Sequence, residues 1–375
     1  MTSSFIEGNE AIAYGALASG CRFFAGYPIT PATSIFNMML KLLPPRGGVC
    51  LQGEDEIASM GFCIGASMAG WKAMTATSGP GLSLCSEQIS FAIGSEIPLV
   101  IVDVQRLGPS TGSATRGADG DIQFLRWGNS GGLSGIVLAP VDVADCFLLT
   151  IHGFNLAELY RCPVFIASNK EIALTRESID IDAFERPEVI SRKKPWKEGP
   201  YLPFHVPKGE KVPGFLPMGG KIPVRQTSST HGPDGYITTD GSKISDNLDR
   251  LAMKLNDVTH SYAFHDFYEA KNSDALLITY GITARAAKDC FYQAKNLGFA
   301  FSLLVLKTLW PVPERLIAQK AGNVKRIIVA EMNLGLYVRE VERVLAGRKV
   351  EFLGRMDGML ITPDQIFEVL SRVER

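Results

Sequence analysis

Short apolar runs alternate along the chain with longer segments in which apolar residues recur at helical spacing. Runs such as Ala73–Thr77 and Leu99–Val104 have the length of buried strands, and Val143–Leu159 has the length of a helix. This alternation predicts a parallel sheet with helices on both faces, which is a doubly wound α/β fold. We expect this first domain to extend over residues 1–185.

The pattern changes after residue 185 and returns near residue 247. Residues 186–246 are rich in Pro and Gly with interspersed aromatic residues, so we expect an extended connector that wraps other structure. Regular α/β text then resumes with a predicted helix over Leu248–Glu269 and a predicted strand over Ala275–Tyr280. We therefore expect a second, smaller α/β domain over residues 247–375.

Composition and charge narrow the class of protein. The chain has 375 residues, 46% of them hydrophobic, with 38 Lys and Arg against 39 Asp and Glu. Its length favours two domains, and its balanced charge argues against a nucleic-acid partner. No apolar run approaches the roughly 18–20 residues that span a bilayer, and no basic stretch precedes an apolar one as in a signal peptide. We expect no membrane association.

The seven cysteines are scattered, with no CxxC pair, and none of the five histidines lies at ligand spacing from a cysteine. This pattern is typical of free thiols in a cytoplasmic protein. It also predicts that the chain holds no metal ion or iron–sulfur cluster of its own.

Three segments follow predicted strands, where an open α/β sheet binds its ligands. In the first, Tyr27-Pro28-Ile29-Thr30-Pro31, two prolines restrict the backbone around one hydroxyl, which suits a binding loop. Alternatively, Thr30 simply caps the next helix.

The second segment places Glu56 at the start of a helix that is apolar nearly all round. Such a helix is expected to be buried, so the carboxylate leading into it is a candidate functional group. The alternative is a capping acid that reaches water.

The third segment, Ala76–Gly81, contains Ser78, Gly79 and Gly81, and its glycines let backbone approach a ligand closely. The alternative is an ordinary tight turn between strand and helix. Arg106 ends another predicted strand beside a Gly- and hydroxyl-rich loop. It is either solvated or placed to bind a carboxylate with two hydrogen bonds.

Other nucleotide and hydrolase motifs are missing or lack their context. There is no GxxxxGK[ST] and no GxGxxG after a strand, which argues against a P-loop and a Rossmann dinucleotide site. Gly128–Gly132 matches GxSxG, but glycine-rich flanks replace the strand and helix that a serine hydrolase needs.

Taken together, these segments resemble those of thiamine diphosphate enzymes. The ATSGPG run (76–81) is similar to that of acetolactate synthase-like enzymes. YPITP (27–31), the Glu56 helix, and Arg106 followed by GPSTG (108–112) resemble the α subunit of 2-oxoacid:ferredoxin oxidoreductases, most closely the 2-oxoglutarate type. The resemblance implies a pyrimidine-type thiamine diphosphate domain. It also implies a smaller domain like the transketolase C-terminal domain, where TYG (279–281), LWP (309–311) and AEMNLG (330–335) match.

The resemblance also implies roles for individual residues. Glu56 is the carboxylate that activates the aminopyrimidine ring of thiamine diphosphate, while Thr30 and Arg106 bind the 2-oxoacid carboxylate. The cofactor contacts fall on Tyr27, Pro28, Ile29, Ser78, Gly79 and Gly81. His231, on the connector, is expected either to meet the distal carboxylate of 2-oxoglutarate or to be a histidine in a surface turn.

The family's GDG motif, which binds Mg²⁺ and the diphosphate, is absent here, as are cysteines spaced for a cluster. We therefore expect a β subunit that holds Mg²⁺, the diphosphate end and a [4Fe-4S] cluster, in an α2β2 assembly. Coenzyme A is the expected co-substrate and ferredoxin the expected electron acceptor.

The expected reaction converts 2-oxoglutarate, coenzyme A and oxidised ferredoxin to succinyl-CoA, CO2 and reduced ferredoxin, or runs in reverse. Pyruvate, branched-chain and aryl 2-oxoacids remain alternative substrates. A non-catalytic docking subunit and a thiamine lyase or synthase without electron transfer remain alternative functions.

Overall fold

The computed structural model describes residues 4–195, 200–256, 258–271, 273–322 and 324–372. Its strands and helices alternate as the sequence pattern predicts. The strands are β1 (Ser4–Glu7), β2 (Phe23–Gly26), β3 (Val49–Gln52), β4 (Ala73–Thr77), β5 (Leu99–Gln105), β6 (Ile136–Leu138), β7 (Pro163–Asn169), β8 (Arg176–Ile179), β9 (His265–Tyr268), β10 (Ala275–Tyr280), β11 (Ser302–Leu306), β12 (Thr308–Trp310), β13 (Arg326–Glu331) and β14 (Glu351–Gly354).

The helices cover both faces of the two larger sheets. They are α1 (Gly8–Ala18), α2 (Thr33–Leu42), α3 (Glu56–Met68), α4 (Gly79–Leu84), α5 (Ser86–Gly94), α6 (Ile122–Trp127), α7 (Val143–Tyr160), α8 (Lys170–Leu174), α9 (Gly241–Met253), α10 (Val258–Ser261), α11 (Thr283–Asn296), α12 (Glu314–Ala321), α13 (Val338–Val344) and α14 (Pro363–Ser371). In the described part of the chain, no helix is both long and apolar enough to cross a bilayer.

The first sheet has the strand order β12-β6-β7-β5-β4-β2-β3. Its strands pair in parallel, except that β12 runs antiparallel to β6. β4, β5 and β7 are buried along their whole length, because helices cover both faces of a doubly wound sheet. The carboxyl ends of β3, β2, β4 and β5 therefore lie side by side at one edge, which we call the ligand edge.

The second sheet has the order β14-β13-β10-β11-β9 and is parallel except for β9, which pairs antiparallel with β11. It confirms the predicted second α/β unit. The domain boundaries at residues 185 and 246 stay a prediction. Strand β12, at residues 308–310, extends the first sheet although it follows the strands β10 and β11 of the second in sequence.

The helix predicted over Leu248–Glu269 is wrong. In its place α9 ends at Met253, α10 forms a single turn, and β9 follows as an edge strand. Hydrogen bonding explains the difference, because the backbone of His265–Tyr268 pairs with the edge of β11. Without this partner, the N–H and C=O groups along that edge of β11 would be unpaired.

The expectation that α3 is buried nearly all round is also wrong. Ile57 and Phe62 are 44% and 46% exposed, although Met60 and Cys63 on the other side of the helix are completely buried. The helix packs against β2, β4, α4 and α5, but these contacts leave part of its apolar surface exposed in this chain.

The segment predicted as the connector, residues 186–246, contains no strand in its described residues, and α9 begins within it at Gly241. Arg192 forms a buried ion pair with Glu158 of α7 at 2.8 Å. The backbone N–H of Met218 donates to the carbonyl of Met68 at the end of α3. These contacts fasten the connector at the edge of the sheet opposite the ligand edge.

Candidate functional site

Four neighbouring strands present the predicted site residues at the ligand edge. The loop after β2 contains Thr30, α3 after β3 begins with Glu56, α4 follows β4, and Arg106 follows β5. Adjacent strands in a sheet lie about 5 Å apart. The structure thus places these four segments next to one another.

Glu56 is held at the first turn of α3. Asp55 is the N-cap, and its carboxylate accepts a hydrogen bond from the backbone N–H of Ala58 at 2.7 Å. The capping role considered for this acidic run therefore belongs to Asp55. Glu56 itself is only 7% exposed. It faces Gly81 of α4, where a β-carbon would lie 2.4 Å from Oε1 of Glu56.

The turn that ends β4 leaves polar groups buried around this carboxylate. The hydroxyls of Thr77 and Ser78 are buried and form no hydrogen bond with any described residue. Buried hydroxyls normally have partners, so their lack of one points to a ligand. A β-carbon at position 81 would also lie 2.2 Å from Oγ1 of Thr77, so only glycine leaves this space open.

Arg106 is folded inward and is not solvated. It is 7% exposed, its Nη1 donates to the backbone carbonyl of Thr30 at 2.6 Å, and its Nε is buried without a partner among the described residues. Helix α2 begins at Thr33 with Ala32 as N-cap, which excludes a capping role for Thr30. The exposed Thr30 and the inward guanidinium therefore meet at the mouth of the site.

The remaining predicted residues of the β2 loop line the same mouth. Tyr27 is 40% exposed. Pro28 and Ile29 are half-buried, and Ile29 packs against the core on one side. Apolar side chains thus border the polar groups, as is typical of small-molecule sites.

A pair of buried carboxyls, Asp103 and Asp121, lies below the turn and was not expected from the sequence. Both oxygens of Asp103 and Oδ2 of Asp121 are buried without a hydrogen-bond partner among the described residues, and the N–H of Asp121 donates to Oε1 of Gln105 at 3.0 Å. Burial raises the pKa of Asp121 to about 6. Burial, and then the charge of Asp121, raise the pKa of Asp103 well above its usual range. Both carboxyls therefore bind their protons more tightly in the folded protein than ordinary carboxyls do.

This pair supports the turn from beneath. A β-carbon at position 79 would lie 3.3 Å from Oδ2 of Asp121. Arg106 interacts favourably with the charged form of Asp121. Two glycines of this turn thus each lie directly against a carboxyl group: Gly81 against Glu56 and Gly79 against Asp121.

His231 is not brought together with Thr30 and Arg106. It lies near Glu96, which precedes β5, whereas Arg106 follows β5 at its other end. Its ring is 3.8 Å from the ring of Phe204 between centroids, and its Nε2 is buried without a partner in the described part of the chain. Burial lowers the pKa of His231.

Comparison with known proteins gives matches along nearly the whole chain. The thiamine diphosphate-binding domain of pyruvate flavodoxin/ferredoxin oxidoreductase matches residues 14–276, and pyruvate:ferredoxin oxidoreductase core domain II matches residues 273–366. The 2-oxoglutarate synthase subunit KorA of Methanothermobacter marburgensis is 41% identical over 96% of both chains. The ketoisovalerate oxidoreductase subunit VorB of Methanothermobacter thermautotrophicus is 29% identical over 100% of this chain and 98% of its own.

Solved structures agree with these matches. The 2-oxoglutarate:ferredoxin oxidoreductase from Magnetococcus marinus, with 2-oxoglutarate, coenzyme A and succinyl-CoA bound, has a TM-score of 0.92 and 31% identity. That match covers 98% of this chain and 64% of the longer one. A split-gene transketolase with 14% identity and a TM-score of 0.56 shares the fold. The predicted resemblance and fold class are confirmed, and this chain belongs to the pyruvate flavodoxin/ferredoxin oxidoreductase family.

Proposed function

We propose that the chain is the α subunit of a thiamine diphosphate-dependent 2-oxoglutarate:ferredoxin oxidoreductase. The reaction joins 2-oxoglutarate and coenzyme A, releases CO2, and passes two electrons to ferredoxin one at a time, or runs in reverse. The observation that carries the proposal is the buried Glu56 carboxylate against the bare backbone of Gly81 at the ligand edge.

The residues around Glu56 fit the pyrimidine end of thiamine diphosphate. They supply a buried carboxylate, two buried hydroxyls without partners among the described residues, and backbone that no β-carbon obstructs. Glu56 would hydrogen-bond the aminopyrimidine ring, and Ser78, Gly79 and Gly81 would offer it backbone and hydroxyl contacts. Tyr27, Pro28 and Ile29 would border the ring. When bound, thiamine diphosphate supplies the carbon nucleophile and electron sink for decarboxylation.

Arg106 and Thr30 form the proposed 2-oxoacid site. The guanidinium uses Nη1 to hold the Thr30 carbonyl at 2.6 Å, which fixes its plane and leaves its other N–H groups for a carboxylate. Arginine binds carboxylates with two parallel hydrogen bonds in this way. The exposed hydroxyl of Thr30 adds a further donor.

We propose that a separate β subunit completes the site. It would hold Mg²⁺ and the diphosphate and carry the [4Fe-4S] cluster that passes electrons to ferredoxin, in an α2β2 assembly. The exposed apolar side chains of α3 and α4 support this, because Ile57, Phe62 and Leu84 are 44%, 46% and 53% exposed near Glu56. We also propose a cytoplasmic location, since all seven cysteines are free thiols.

The identity of the 2-oxoacid rests on relatives. KorA subunits are 36–41% identical to this chain, against 29–30% for VorB subunits, which favours 2-oxoglutarate over a branched-chain substrate. A role for His231 in binding the distal carboxylate stays a prediction. It would require His231 of one protomer to reach the site of another.

The test is to co-express the chain with its β subunit and assay the complex with a panel of 2-oxoacids, coenzyme A and a low-potential one-electron acceptor. We expect reduction of the acceptor that depends on coenzyme A and is fastest with 2-oxoglutarate. Faster turnover of pyruvate, branched-chain or aryl 2-oxoacids would reassign the substrate. A partner without a cysteine-bound cluster would indicate a lyase or synthase.

Glu56→Gln separates a catalytic from a docking role. We expect turnover to fall by about 10²-fold or more while the complex stays assembled in size-exclusion chromatography. Glu87→Gln, which changes an exposed carboxylate in the first turn of α5, serves as control and keeps full turnover. Unchanged turnover in Glu56→Gln would leave only the docking role.

A further inference from the structure

The second domain holds the loop that connects Arg106 to Asp121. This loop, Leu107–Asp121, leaves β5 after Arg106 and returns to the same strand end, where the N–H of Asp121 donates to Oε1 of Gln105 at 3.0 Å. Within the loop, the N–H of Leu107 donates to the carbonyl of Arg116 at 2.8 Å. The position of this loop therefore determines where Leu107 and Asp121 lie relative to Arg106.

Asp119 is the point at which this loop meets both domains. It is 2% exposed. Its N–H donates to the carbonyl of Met332 at 2.8 Å, and its own carbonyl accepts from Nδ2 of Asn333 at 2.9 Å. Its Oδ1 accepts from Nδ2 of Asn169, at the end of β7, at 2.8 Å. A single residue is thus held by backbone and side-chain contacts from two sheets.

Asn333 is itself fixed by the second domain. It is completely buried, and its Nδ2 also lies 2.8 Å from the hydroxyl of Tyr280 and 2.9 Å from Oε2 of Glu331. Its Oδ1 accepts from the N–H groups of Gly335 and Leu336. The ends of β10 and β13 thereby hold the Asn333 amide in place. The position of the second sheet therefore determines where the hydrogen bond from Asn333 to the loop is made.

Further contacts tie the same loop to the segment after β14. A β-carbon at Gly120 would lie 3.1 Å from Cε of Met356, and one at Gly358 would lie 2.9 Å from Cβ of Arg116. The second domain therefore touches the loop at both its middle and its end.

We propose that Asn333 is a positioning residue for the 2-oxoacid site. It acts by clamping Asp119 and so holding the Leu107–Asp121 loop against Arg106. The proposal rests on the proposed function for its effect on substrate binding. The clamp itself is a property of this chain.

The test compares Asn333→Ala with Asn155→Ala in the complex with the β subunit. Asn155 is a matched control: it is also buried, and it joins α7 to the connector through bonds to Glu188 and Ile190 far from the ligand edge. For Asn333→Ala we expect amide hydrogen exchange in Leu107–Asp121 to speed up by about tenfold, the scale of one lost hydrogen bond. The KM for the 2-oxoacid rises by a similar factor, and kcat changes less.

The Asn333→Asp variant distinguishes loss of the contact with Asp119 from a general loss of folding. It keeps the acceptor for Gly335 and Leu336 but, once ionised, loses the donor to Asp119. We expect its loop exchange, relative to wild type at the same pH, to be faster at high pH, where the new carboxylate is ionised, than at low pH.

Unchanged loop exchange in Asn333→Ala, or equal acceleration in Asn155→Ala, would overturn the clamp. Faster exchange with an unchanged KM would overturn the link to substrate binding. Failure of the wild-type complex to turn over any 2-oxoacid would instead refute the proposed function, while the exchange measurement would still test the clamp.

Discussion

The carboxylate of Glu56 lies directly against the α-carbon of Gly81, so a β-carbon there would fall 2.4 Å from Oε1. Glu56 comes from the start of α3, after β3, and Gly81 comes from α4, after β4, two strands that β2 separates in the sheet. The turn after β4 is therefore shaped around the carboxylate. This contact connects the geometry of the turn to the function proposed for Glu56.

Gly81→Ala is expected to lower turnover by about 10²-fold, the cost of displacing a reacting group by about 1 Å. The new methyl group would overlap both Glu56 and Oγ1 of Thr77, and a β-carbon this close forces a shift. Steady-state kinetics of the assembled complex measure this. Gly241→Ala, in the first turn of α9 with no atom within 4 Å of its β-carbon, is the control. Equal activity in the two variants would contradict the prediction.

Arg106→Lys is expected to raise the KM for the 2-oxoacid roughly tenfold to a hundredfold, the range for losing a hydrogen bond to a charged group. A lysine ammonium cannot hold the Thr30 carbonyl and bind a carboxylate with two parallel bonds. The measurement is KM and kcat across a substrate concentration series.

Arg22→Lys controls for the loss of a guanidinium on the same sheet. Arg22 donates to the carbonyl of Gly47 at 3.0 Å, before β2 and away from the ligand edge. The KM of the Arg22→Lys variant for the 2-oxoacid should match that of the wild type. A KM in Arg106→Lys that also matches wild type would remove Arg106 from the substrate site.

The sequence predicts the central strands well because they are buried on both faces. β4 (Ala73–Thr77) and β10 (Ala275–Tyr280) have the bounds that their apolar runs predict. Strands β3 and β14 are not predicted from the sequence pattern, because they are short and only partly buried. Such edge strands are defined by the neighbour they pair with, which the local pattern does not contain.

The same distinction holds for the site. Arg106 directly follows the buried strand β5, so its place at the ligand edge can be predicted from the sequence. Glu56 can be recognised as an acidic residue that opens an apolar helix, but the short strand β3 before it is only partly buried. The pairing of Asp103 with Asp121 depends on the path of the intervening loop. One signal is available in advance: Asp103 is a single acidic residue within the buried strand Leu99–Gln105, and a buried charge requires a partner or a shifted pKa.

Asp103→Asn is expected to make the free energy of unfolding depend less on rising pH. Burial raises the pKa of Asp121 to about 6 and raises that of Asp103 well above its usual range. A carboxyl with a raised pKa in the folded state binds its proton there more tightly than in the unfolded chain. Its stability contribution is therefore present at low pH and is lost as pH rises through the folded-state pKa. The Asp103→Asn variant lacks that loss at this position, because an amide does not ionise.

Urea denaturation of wild type and Asp103→Asn between about pH 4 and pH 8 measures this difference. The free energy of unfolding should fall less steeply with pH in the variant. Asp249→Asn, at an exposed position on α9, should follow the wild-type curve. A variant curve parallel to that of wild type would show that the pair ionises freely.

Glu96 provides the opposite pH dependence, at the other end of β5. It is completely buried, and its carboxylate oxygens lie 2.6 Å from Nη2 of Arg250 and 2.8 Å from Nζ of Lys254. Burial by itself acts to raise the pKa of Glu96, but Lys254 and Arg250 outweigh it and lower the pKa to about 2. The stability contributed by this ion pair is therefore present above the ordinary carboxyl pKa and is lost as pH falls towards about 2.

Glu96→Gln is expected to destabilise the protein by about 3–5 kcal/mol at neutral pH, the cost of leaving buried cations without their partner. Glu314→Gln removes an ion pair with Arg343 in which both side chains are more than half exposed. It should cost under about 1 kcal/mol. Denaturation midpoints of the two variants at pH 7 and pH 4 check the comparison. Because the wild type loses the Glu96 contribution on acidification, the gap between wild type and Glu96→Gln should narrow at the lower pH. A gap that widens there would mean that Glu96 is already protonated in the folded protein, with its two cations stabilised by other groups.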